Sequence, residues 1–248
     1  MVKELDGRVA VVTGSAAGLG RGIALALAEC GAEVVINYRR SESAARDTVR
    51  LIRSRKCRAV SVQADVSNWT EVRALFSDLS KKYGKIDILI NNVGELIKKP
   101  LSHTTVDEWH SMMSSNLNST FFCCKAVLPL MYQSGYGRII NIALAGAERV
   151  RAYKMVTAYA IAKTGVLILT KSLAVEHAAS GITVNAISPG LMDNGKLVDE
   201  ERTEQSRMVP AKKLGSPDDI AAAIRFLVSE KAAYITGTNI VVSGGWGL

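Results

Sequence analysis

The sequence Val9-Ala10-Val11-Val12-Thr13-Gly14-Ser15-Ala16-Ala17-Gly18-Leu19-Gly20 decides the fold of this 248-residue chain. Its first five residues form a continuous apolar and β-branched run, which is typical of a buried strand. Glycines follow immediately, and residues 19–29 continue with a helical pattern. Glycine lets a backbone turn tightly and approach a pyrophosphate, and the first turn of a helix supplies free N–H groups. The stretch therefore predicts a strand–turn–helix that binds a dinucleotide, with a purely structural glycine-rich turn as the alternative.

Short apolar runs rich in β-branched residues recur along the chain and alternate with longer amphipathic segments. Counting the first, they cover residues 8–13, 33–38, 59–64, 86–91, 138–142, 183–188 and 239–243. Continuous apolar strands separated by helices favour a parallel sheet covered on both faces, and right-handed crossovers make it doubly wound. We therefore expect a single α/β domain over residues 1–248, a Rossmann fold with about seven parallel strands. Residues 107–132 and 156–180 are expected to form long helices.

One stretch departs from this alternation. Residues 191–216 are polar and charged, and they contain Gly195, Pro210 and Gly215. They follow the sixth apolar run, and open α/β sheets bind their ligands beyond the carboxyl ends of the strands. We therefore interpret this stretch as a lid over the substrate.

The composition, 48% hydrophobic and 22% charged residues, is that of an ordinary globular protein. No run of ~18 consecutive apolar residues predicts a membrane span, and the first eight residues lack the apolar core of a signal peptide. We therefore expect a cytoplasmic protein without a membrane partner. Cys30, Cys57, Cys123 and Cys124 fit no zinc or redox spacing, so we expect reduced structural thiols and no metal site.

The net charge of +8 is compatible with a nucleic-acid partner. The basic residues are scattered, however, and the local cluster at residues 46–58 is more simply explained as a solvated helix face. No nucleic-acid partner is therefore expected. A positive surface also attracts acidic carrier proteins and phosphorylated ligands.

Tyr159 and Lys163 lie four residues apart in a helical segment, so they share one helix face. An unperturbed tyrosine has a pKa of about 10 and is a poor acid–base group near neutrality. A nearby ammonium favours the phenolate and lowers that pKa. The pair is therefore a candidate acid–base site, although the spacing by itself is common by chance.

Several motifs together resemble the short-chain dehydrogenase/reductase family over essentially the whole chain. They are Gly14-x-x-x-Gly18-x-Gly20, Asn91-Asn92-Val93-Gly94, Tyr159-x-x-x-Lys163 and Ser188-Pro189-Gly190. The endings Tyr234-Ile235-Thr236-Gly237 and Ser243-Gly244-Gly245-Trp246 resemble the branch that contains 3-oxoacyl-(acyl-carrier-protein) reductases. The resemblance implies a nicotinamide-dependent oxidoreductase and a homotetramer assembled through the long helices and the last strand.

The resemblance also assigns roles to single residues. Tyr159 is expected to protonate the carbonyl oxygen of a substrate, and Lys163 to tune Tyr159 and hold the nicotinamide ribose. Asn116 matches an asparagine that holds a water in a proton relay to this lysine, with Asn118 as a competitor. The expected cofactor-binding residues are Gly14, Ala17, Gly18, Leu19, Gly20, Asp65, Val66, Asn92, Gly94, Tyr159, Lys163, Pro189, Gly190, Met192 and Asn194, the last standing where the family often has a threonine.

The end of the second apolar run bears on the choice of cofactor. A cofactor with a free 2′-hydroxyl usually meets an acidic residue about 20 residues beyond the glycine turn. No Asp or Glu occurs at residues 37–41, where Arg39 and Arg40 stand instead. An arginine pairs with a 2′-phosphate through two parallel hydrogen bonds. The sequence therefore favours NADP(H) over NAD(H), with two solvent-exposed arginines as the alternative.

One residue departs from the family pattern. The family places a serine shortly after the fifth strand, where its hydroxyl binds the substrate oxygen, and Leu144 stands at that position. No serine occurs between Ser134 and Ser172, so no shift of the alignment restores it. Losing such a donor typically costs ~10²–10³ in rate. Another group takes over the role, the substrate binds differently, or the protein binds cofactor and turns over poorly.

We expect an NADPH-dependent reductase of a carbonyl or acyl-thioester substrate that resembles 3-oxoacyl-(acyl-carrier-protein) reductases, with acyl carrier protein as a candidate partner. Leu144 and Tyr153 are candidate substrate contacts. The alternatives are a reductase or dehydrogenase of a sugar, ketone or pteridine, and a nucleotide-binding protein of little activity. The motifs above do not separate these alternatives.

Overall fold

The computed structural model describes residues 3–193, 195 and 197–247. Within them, the strands are β1 (Val9–Val12), β2 (Glu33–Tyr38), β3 (Ala59–Gln63), β4 (Ile88–Asn91), β5 (Gly137–Ile142), β6 (Ile182–Pro189) and β7 (Asn239–Val242). All pair in parallel in one sheet of order β3-β2-β1-β4-β5-β6-β7. The predicted doubly wound, seven-stranded Rossmann sheet is therefore confirmed.

Helices cover both faces of this sheet. They are α1 (Gly18–Glu29), α2 (Glu42–Ser54), α3 (Trp69–Tyr83), α4 (Val106–Met113), α5 (Ser119–Ser134), α6 (Thr157–His177), α7 (Asp199–Met208) and α8 (Pro217–Val228). Helices α1, α2 and α8 pack on one face, and α3, α5 and α6 contribute to the apolar cluster on the other. Because both faces are covered, β1, β4, β5 and β6 are buried along their whole length.

The strand order reverses beside β1. The chain builds β2 and β3 on one side of β1 and returns to place β4 on its other side. The loops that follow β1 and β4 therefore diverge and leave a crevice at the carboxyl ends of the two strands, where ligands bind in open α/β sheets. The glycine turn follows β1 directly at this point.

Two segments differ from the sequence prediction. The helix expected over residues 107–132 is divided by a π-helical turn at Ser114–Asn118. Residues 191–216 were expected to be irregular, yet they contain α7, none of whose residues is buried. This helix has three acidic residues in its first turn and a basic one in its last, which suits the helix dipole, but it lacks the apolar stripe by which a sequence reveals a packed helix.

Helix α6 and the short turn after it, Thr157–Ser180, are long and apolar enough to cross a membrane by composition alone. Two observations explain this without a membrane. Nine residues of α6 are buried in the fold, and the helix packs against β6. The buried set includes one charged residue, Lys163.

The basic cluster of residues 46–58 is largely neutralised by ion pairs. Arg46 pairs with Glu42 at 2.5 Å, and Arg50 with Asp47. Arg55 pairs with Glu29 across to α1. The cluster is therefore mostly an internally paired helix surface, in line with the interpretation from the sequence.

Candidate active site

The glycine turn after β1 requires glycine at two points of close contact. Gly14 has φ +60°, and a Cβ on it would lie 2.9 Å from Val93 Cγ2. A Cβ on Gly20 would lie 2.6 Å from Asn92 Nδ2. Helix α1 begins at Gly18 with no side-chain cap from Ala17 and no acidic residue in its first turn. Its first N–H groups therefore face the crevice free of a competing side chain, as an anion site requires.

Side chains from two strands fix the shape of this turn. Thr13 Oγ1 accepts hydrogen bonds from the backbone N–H of Asn92 at 2.9 Å and of Val93 at 3.1 Å. The Asn92 amide donates to the carbonyl oxygens of Thr13 at 2.9 Å and Gly14 at 3.2 Å. Asn92 thus lies in the predicted site, where its side chain holds the glycine turn.

Asn37, at the end of β2, is a residue that the sequence reasoning missed. Its buried side chain accepts from the Gly14 N–H at 3.3 Å and donates to the Ala64 carbonyl at 3.0 Å. It therefore ties the glycine turn to the end of β3. The available signal was a polar residue inside an apolar strand, which is costly unless its hydrogen bonds are satisfied.

A pocket of about 130 Å³ opens beside the glycine turn, and we call it the Arg39 pocket. It brings together Gly14, Arg39, Asp65 and Val66, which the sequence predicted as cofactor-binding residues. Its full lining is Gly14, Asn37, Arg39, Ala64, Asp65, Val66, Ser67, Val93, Glu95 and Ser115. Strands β1, β2, β3 and β4 thus all contribute their carboxyl ends to it.

Charges of both signs meet in the Arg39 pocket. The Arg39 guanidinium lies 2.7 Å from the Glu95 carboxylate and 3.6 Å from that of Asp65. Burial raises the pKa of Asp65, but hydrogen bonds from Ser67 and the charge of Arg39 outweigh it and hold that pKa below its ordinary value. Arg40 is exposed and forms no ion pair with any described residue. No acidic residue stands at the end of β2, and the carboxylates beside Arg39 come instead from Asp65 after β3 and Glu95 after β4.

The second part of the site lies on α6. Lys163 is 2% exposed, its ammonium donates to the Ile142 carbonyl at 2.7 Å, and it lies 5.6 Å from the centre of the Tyr159 ring. Burial lowers the pKa of Lys163 to about 8 and raises that of Tyr159 to about 12. The shift expected for Tyr159 from a neighbouring ammonium is thus reversed, because desolvation of the phenolate dominates. The Tyr159 phenol is therefore protonated at neutral pH.

Asn116 completes this group. It lies in the π turn, fully buried, and its amide donates to the Glu95 carbonyl at 2.9 Å and to the Met112 carbonyl at 3.0 Å. A Cβ on Gly94 would meet Asn116 Oδ1 at 2.5 Å and Lys163 Nζ at 3.1 Å, so both atoms converge on Gly94. The competitor Asn118 is exposed. Of the two candidate asparagines, Asn116 therefore lies with Lys163 beside Gly94, and Asn118 does not face this group of buried residues.

The remaining predicted residues surround the crevice at the end of β6. Gly190 is pressed against the C-terminal segment, since a Cβ on it would lie 2.7 Å from Ser243 Cβ. Met192 pairs with Gly215 in an isolated bridge that joins the two ends of the predicted lid. Pro189 ends β6 in a buried position. Asn194, the predicted carboxamide contact, lies outside the described residues.

The loop between β5 and α6 offers few hydroxyl donors. Leu144 is half-buried and packs with Leu117 against an apolar cluster that includes Val166 and Leu167. The hydroxyls of Tyr153, Thr157 and Thr164 donate to the backbone carbonyls of Gly146, Tyr153 and Ala147, respectively. Between residues 143 and 164, all of which the structure describes, Tyr159 therefore has the only hydroxyl without an intramolecular acceptor. No hydroxyl of this loop replaces the absent serine in the structure.

The residues present fit a nicotinamide dinucleotide. Gly14 and Gly20 leave no room for side chains beside a free helix N-terminus, and the Arg39 pocket lies at one end of the crevice. At the other end, Asn116 Oδ1 is buried and has no hydrogen-bond donor among the described residues. The glycine turn and the Arg39 pocket would hold the two phosphates and the adenosine of this cofactor. Lys163 would hold the nicotinamide ribose.

The buried ammonium of Lys163 predicts an unusual effect on stability. Its pKa falls from 10.5 to about 8 on folding, a cost of about 3 kcal/mol at neutral pH. Between pH 8 and 10.5 the unfolded chain binds more protons, so stability rises with pH there, and the full cost is present below pH 8. Lys163→Met is therefore expected to raise the free energy of unfolding by about 1–3 kcal/mol at pH 7.

Urea denaturation at pH 7 and pH 10 measures this effect, with exposed Lys171→Met on the same helix as control. The gain from Lys163→Met should shrink at pH 10, and Lys171→Met should show neither effect. An equal change at both pH values would show that Lys163 is not desolvated as the fold indicates.

The glycine turn and the face of α6 that carries Tyr159 and Lys163 meet where the strand order of the doubly wound sheet reverses. Together they define a nicotinamide-dependent oxidoreductase of the Rossmann class. A family model described as enoyl-(acyl carrier protein) reductase matches residues 14–247. The chain belongs to the short-chain dehydrogenase/reductase family. The family resemblance drawn from the sequence motifs is therefore confirmed.

Its relatives carry different substrate names. A 3β-hydroxysteroid dehydrogenase 1 from Eggerthella lenta is 39% identical over 99% of this chain and 95% of its own length. A 3-oxoacyl-(acyl-carrier-protein) reductase from Synechocystis is 38% identical over 97% of both chains. The solved structure of a short-chain dehydrogenase/reductase-type protein from Burkholderia xenovorans superposes with a TM-score of 0.92, at 34% identity and over 98% of this chain and 97% of that one.

Proposed function

We propose that this protein is an NADPH-dependent carbonyl reductase whose leading substrate class is a 3-oxoacyl thioester. One observation carries the reductase assignment. The Tyr159 hydroxyl is uncommitted in a loop where every other hydroxyl is bonded to the backbone, and it lies on the same helix face as buried Lys163. A protonated phenol at the end of a dinucleotide crevice is the group that a carbonyl reduction needs.

Each polar group of the site has a distinct task in such a reaction. Tyr159 donates its proton to the substrate oxygen, and its raised pKa keeps the phenol protonated over the physiological range before the transfer. Lys163 places a positive charge near the phenolate that results and is anchored by the Ile142 carbonyl. Asn116, whose buried Oδ1 has no hydrogen-bond donor among the described residues, holds the water through which a proton returns toward Lys163. The nicotinamide, when bound, supplies the hydride.

The preference for NADPH is supported by Arg39 and Arg40. Both follow β2 directly, and Arg39 lines the pocket at the end of the glycine turn. A guanidinium binds a phosphate dianion through paired, charge-assisted hydrogen bonds. Arg40 has no ion pair to break among the described residues before it could do so.

The substrate class is the least constrained part of the proposal. A net charge of +8 suits an acidic carrier protein, and the relative from Synechocystis bears a carrier-protein name. The similarity to a steroid dehydrogenase is equally strong and favours a second candidate, the reduction or oxidation of another small carbonyl or alcohol. Leu144, which stands where the family has a serine, supports a third candidate function, nucleotide binding with little turnover.

Steady-state oxidation of NADPH with an acetoacetyl thioester tests the proposal, with NADH run in parallel. Turnover that favours NADPH is the expected result. If a panel of ketones, sugars and steroids is turned over but the thioester is not, the second candidate holds. If NADPH binds and no carbonyl is reduced, the third does.

We also propose a cytoplasmic homotetramer. Ile161, Ile168 and Val175 recur every seven residues on α6 and are 46%, 64% and 84% exposed. Phe121 and Tyr132 on α5 are 43% and 46% exposed. An apolar stripe at helical spacing on two neighbouring helices is more apolar surface than a monomer usually leaves in water, so it supports burial between subunits.

Ile168→Glu is expected to reduce the molar mass in solution from that of four chains to two or one, because it places a carboxylate at the middle of the α6 stripe. Light scattering coupled to gel filtration at micromolar concentration measures the mass. Val106→Glu, at an exposed apolar residue of α4 outside the stripe, is the control and should leave the mass unchanged. An unaltered mass in Ile168→Glu would place the interface elsewhere.

A further inference from the structure

Glu95 connects the two ends of the site, and nothing in the sequence pattern marked it. It lies four residues after β4, half-buried, and lines the Arg39 pocket. Its carboxylate accepts from the Arg39 guanidinium at 2.7 Å and from the Ser111 hydroxyl at 3.3 Å. Its backbone carbonyl accepts from the Asn116 amide at 2.9 Å. The residue is therefore held in place on the catalytic side while its side chain faces the arginine.

The ion pair with Glu95 occupies the group that the proposed NADPH preference requires. Arg39 spans the pocket from the end of β2 to the loop after β4, and Asp65 approaches it from β3 at 3.6 Å. A 2′-phosphate can bind Arg39 fully only if these carboxylates release it. Glu95 thus opposes phosphate binding by holding the Arg39 guanidinium.

We infer that Glu95 sets the cofactor preference of this protein by competing with the 2′-phosphate for Arg39. The inference rests on the proposed function, since it concerns the same pocket. With a 2′-phosphate present, Arg39 leaves Glu95; with a free 2′-hydroxyl, the ion pair remains. The protein consequently accepts both cofactors, and its preference for NADPH is smaller than two adjacent arginines would otherwise give. Glu95 acts through Arg39 and is a positioning residue.

Binding of adenosine fragments isolates this effect from catalysis. Isothermal titration calorimetry on the full chain compares 2′,5′-ADP with 5′-AMP, which lacks the 2′-phosphate. Glu95→Gln is expected to tighten 2′,5′-ADP roughly two- to fivefold, the range for releasing a partly exposed ion pair, and to leave 5′-AMP unchanged. The glutamine keeps the size of the side chain and its link to Ser111.

Two further variants make the comparison specific. Glu29→Gln removes the same charge from exposed ion pairs with Arg55 and Arg225 at the C-terminal end of α1, opposite the glycine turn, and should change neither affinity. Arg39→Met should weaken 2′,5′-ADP roughly tenfold or more, as expected for losing charge-assisted hydrogen bonds. In the Arg39→Met background, Glu95→Gln should lose most of its effect on 2′,5′-ADP affinity, because there is no guanidinium left for which Glu95 and the phosphate could compete.

The outcomes separate the inference from the proposal beneath it. Equal affinity of the unmodified protein for both fragments would count against the NADPH preference, whereas tightening of 2′,5′-ADP by Glu95→Gln would still support the role of Glu95. Weaker 5′-AMP with unchanged 2′,5′-ADP would mean that Glu95 binds the ribose hydroxyl, and the competition would be refuted. An undiminished effect of Glu95→Gln without Arg39 would also overturn it.

Discussion

Tyr159→Phe is expected to lower kcat by about 10²–10⁴-fold, the usual contribution of a positioned acid–base group. The structure gives a reason for the upper part of this range. Every other hydroxyl between residues 143 and 164 donates to a backbone carbonyl, so none is free to take over the proton transfer. NADPH affinity, measured by fluorescence titration, should change little, because the glycine turn and the Arg39 pocket are untouched.

Tyr83→Phe is the matched control for this prediction. Its hydroxyl donates to Glu33 at 2.8 Å between α3 and β2, far from the crevice, so the same atom is removed without effect on catalysis. If Tyr159→Phe kept more than a tenth of the activity, the proton would have to come from another donor. The most direct reading would then be a water held by Asn116 and Lys163.

Leu144→Ser is expected to raise kcat, by up to about 10²–10³-fold, which is the range for one donor to a developing oxyanion. The family places a serine here, and the structure shows no loop hydroxyl in its stead. The Tyr159, Lys163 and Asn116 side chains that would cooperate with it are already assembled. The measurement is kcat with the substrate that gives turnover, or with the carbonyl panel if none does.

Leu144→Ala is the control for Leu144→Ser. It opens space at residue 144 without adding a hydroxyl, so it shows whether a change in kcat comes from the serine hydroxyl or from the smaller side chain. Leu144 packs against Leu117 and the cluster around Val166, so both substitutions remove apolar contacts. Removing a buried leucine side chain costs about 2–5 kcal/mol, and at this half-buried site we expect a loss of stability at or below the lower end of that range. A thermal melt of each variant checks that the fold is kept. If serine and alanine gave the same kcat, substrate binding in this protein would be arranged without a donor at residue 144.

The Leu144→Ser and Leu144→Ala variants also bear on whether this protein is an active enzyme or a nucleotide-binding protein of little activity. Tyr159, Lys163 and Asn116, the groups of the proposed reaction, are all present and lie together in the fold. This favours an active enzyme, and gain of activity in Leu144→Ser would support the same conclusion.

Much of the fold was readable from the sequence because its signals are local. Each strand is a short apolar run, and the glycine turn is contiguous with β1 and α1, so their existence and order followed from composition and spacing. The π turn at Ser114–Asn118 left no such signal, since it changes the backbone hydrogen bonds without changing the apolar pattern. Helix α7 was missed because it has no buried face.

The sequence by itself determined the parallel sheet, the cofactor turn, the Tyr159–Lys163 face and the absence of a serine near Tyr159, since all of these depend on neighbours or on what the chain lacks. Only the tertiary structure decided which asparagine lies with Lys163 beside Gly94, which way the pKa of Tyr159 moves, and which carboxylates face Arg39. The physical reason is that burial and ion pairing depend on atoms brought together from distant strands. Glu95 lies 56 residues from Arg39 along the chain and 2.7 Å from it in the fold.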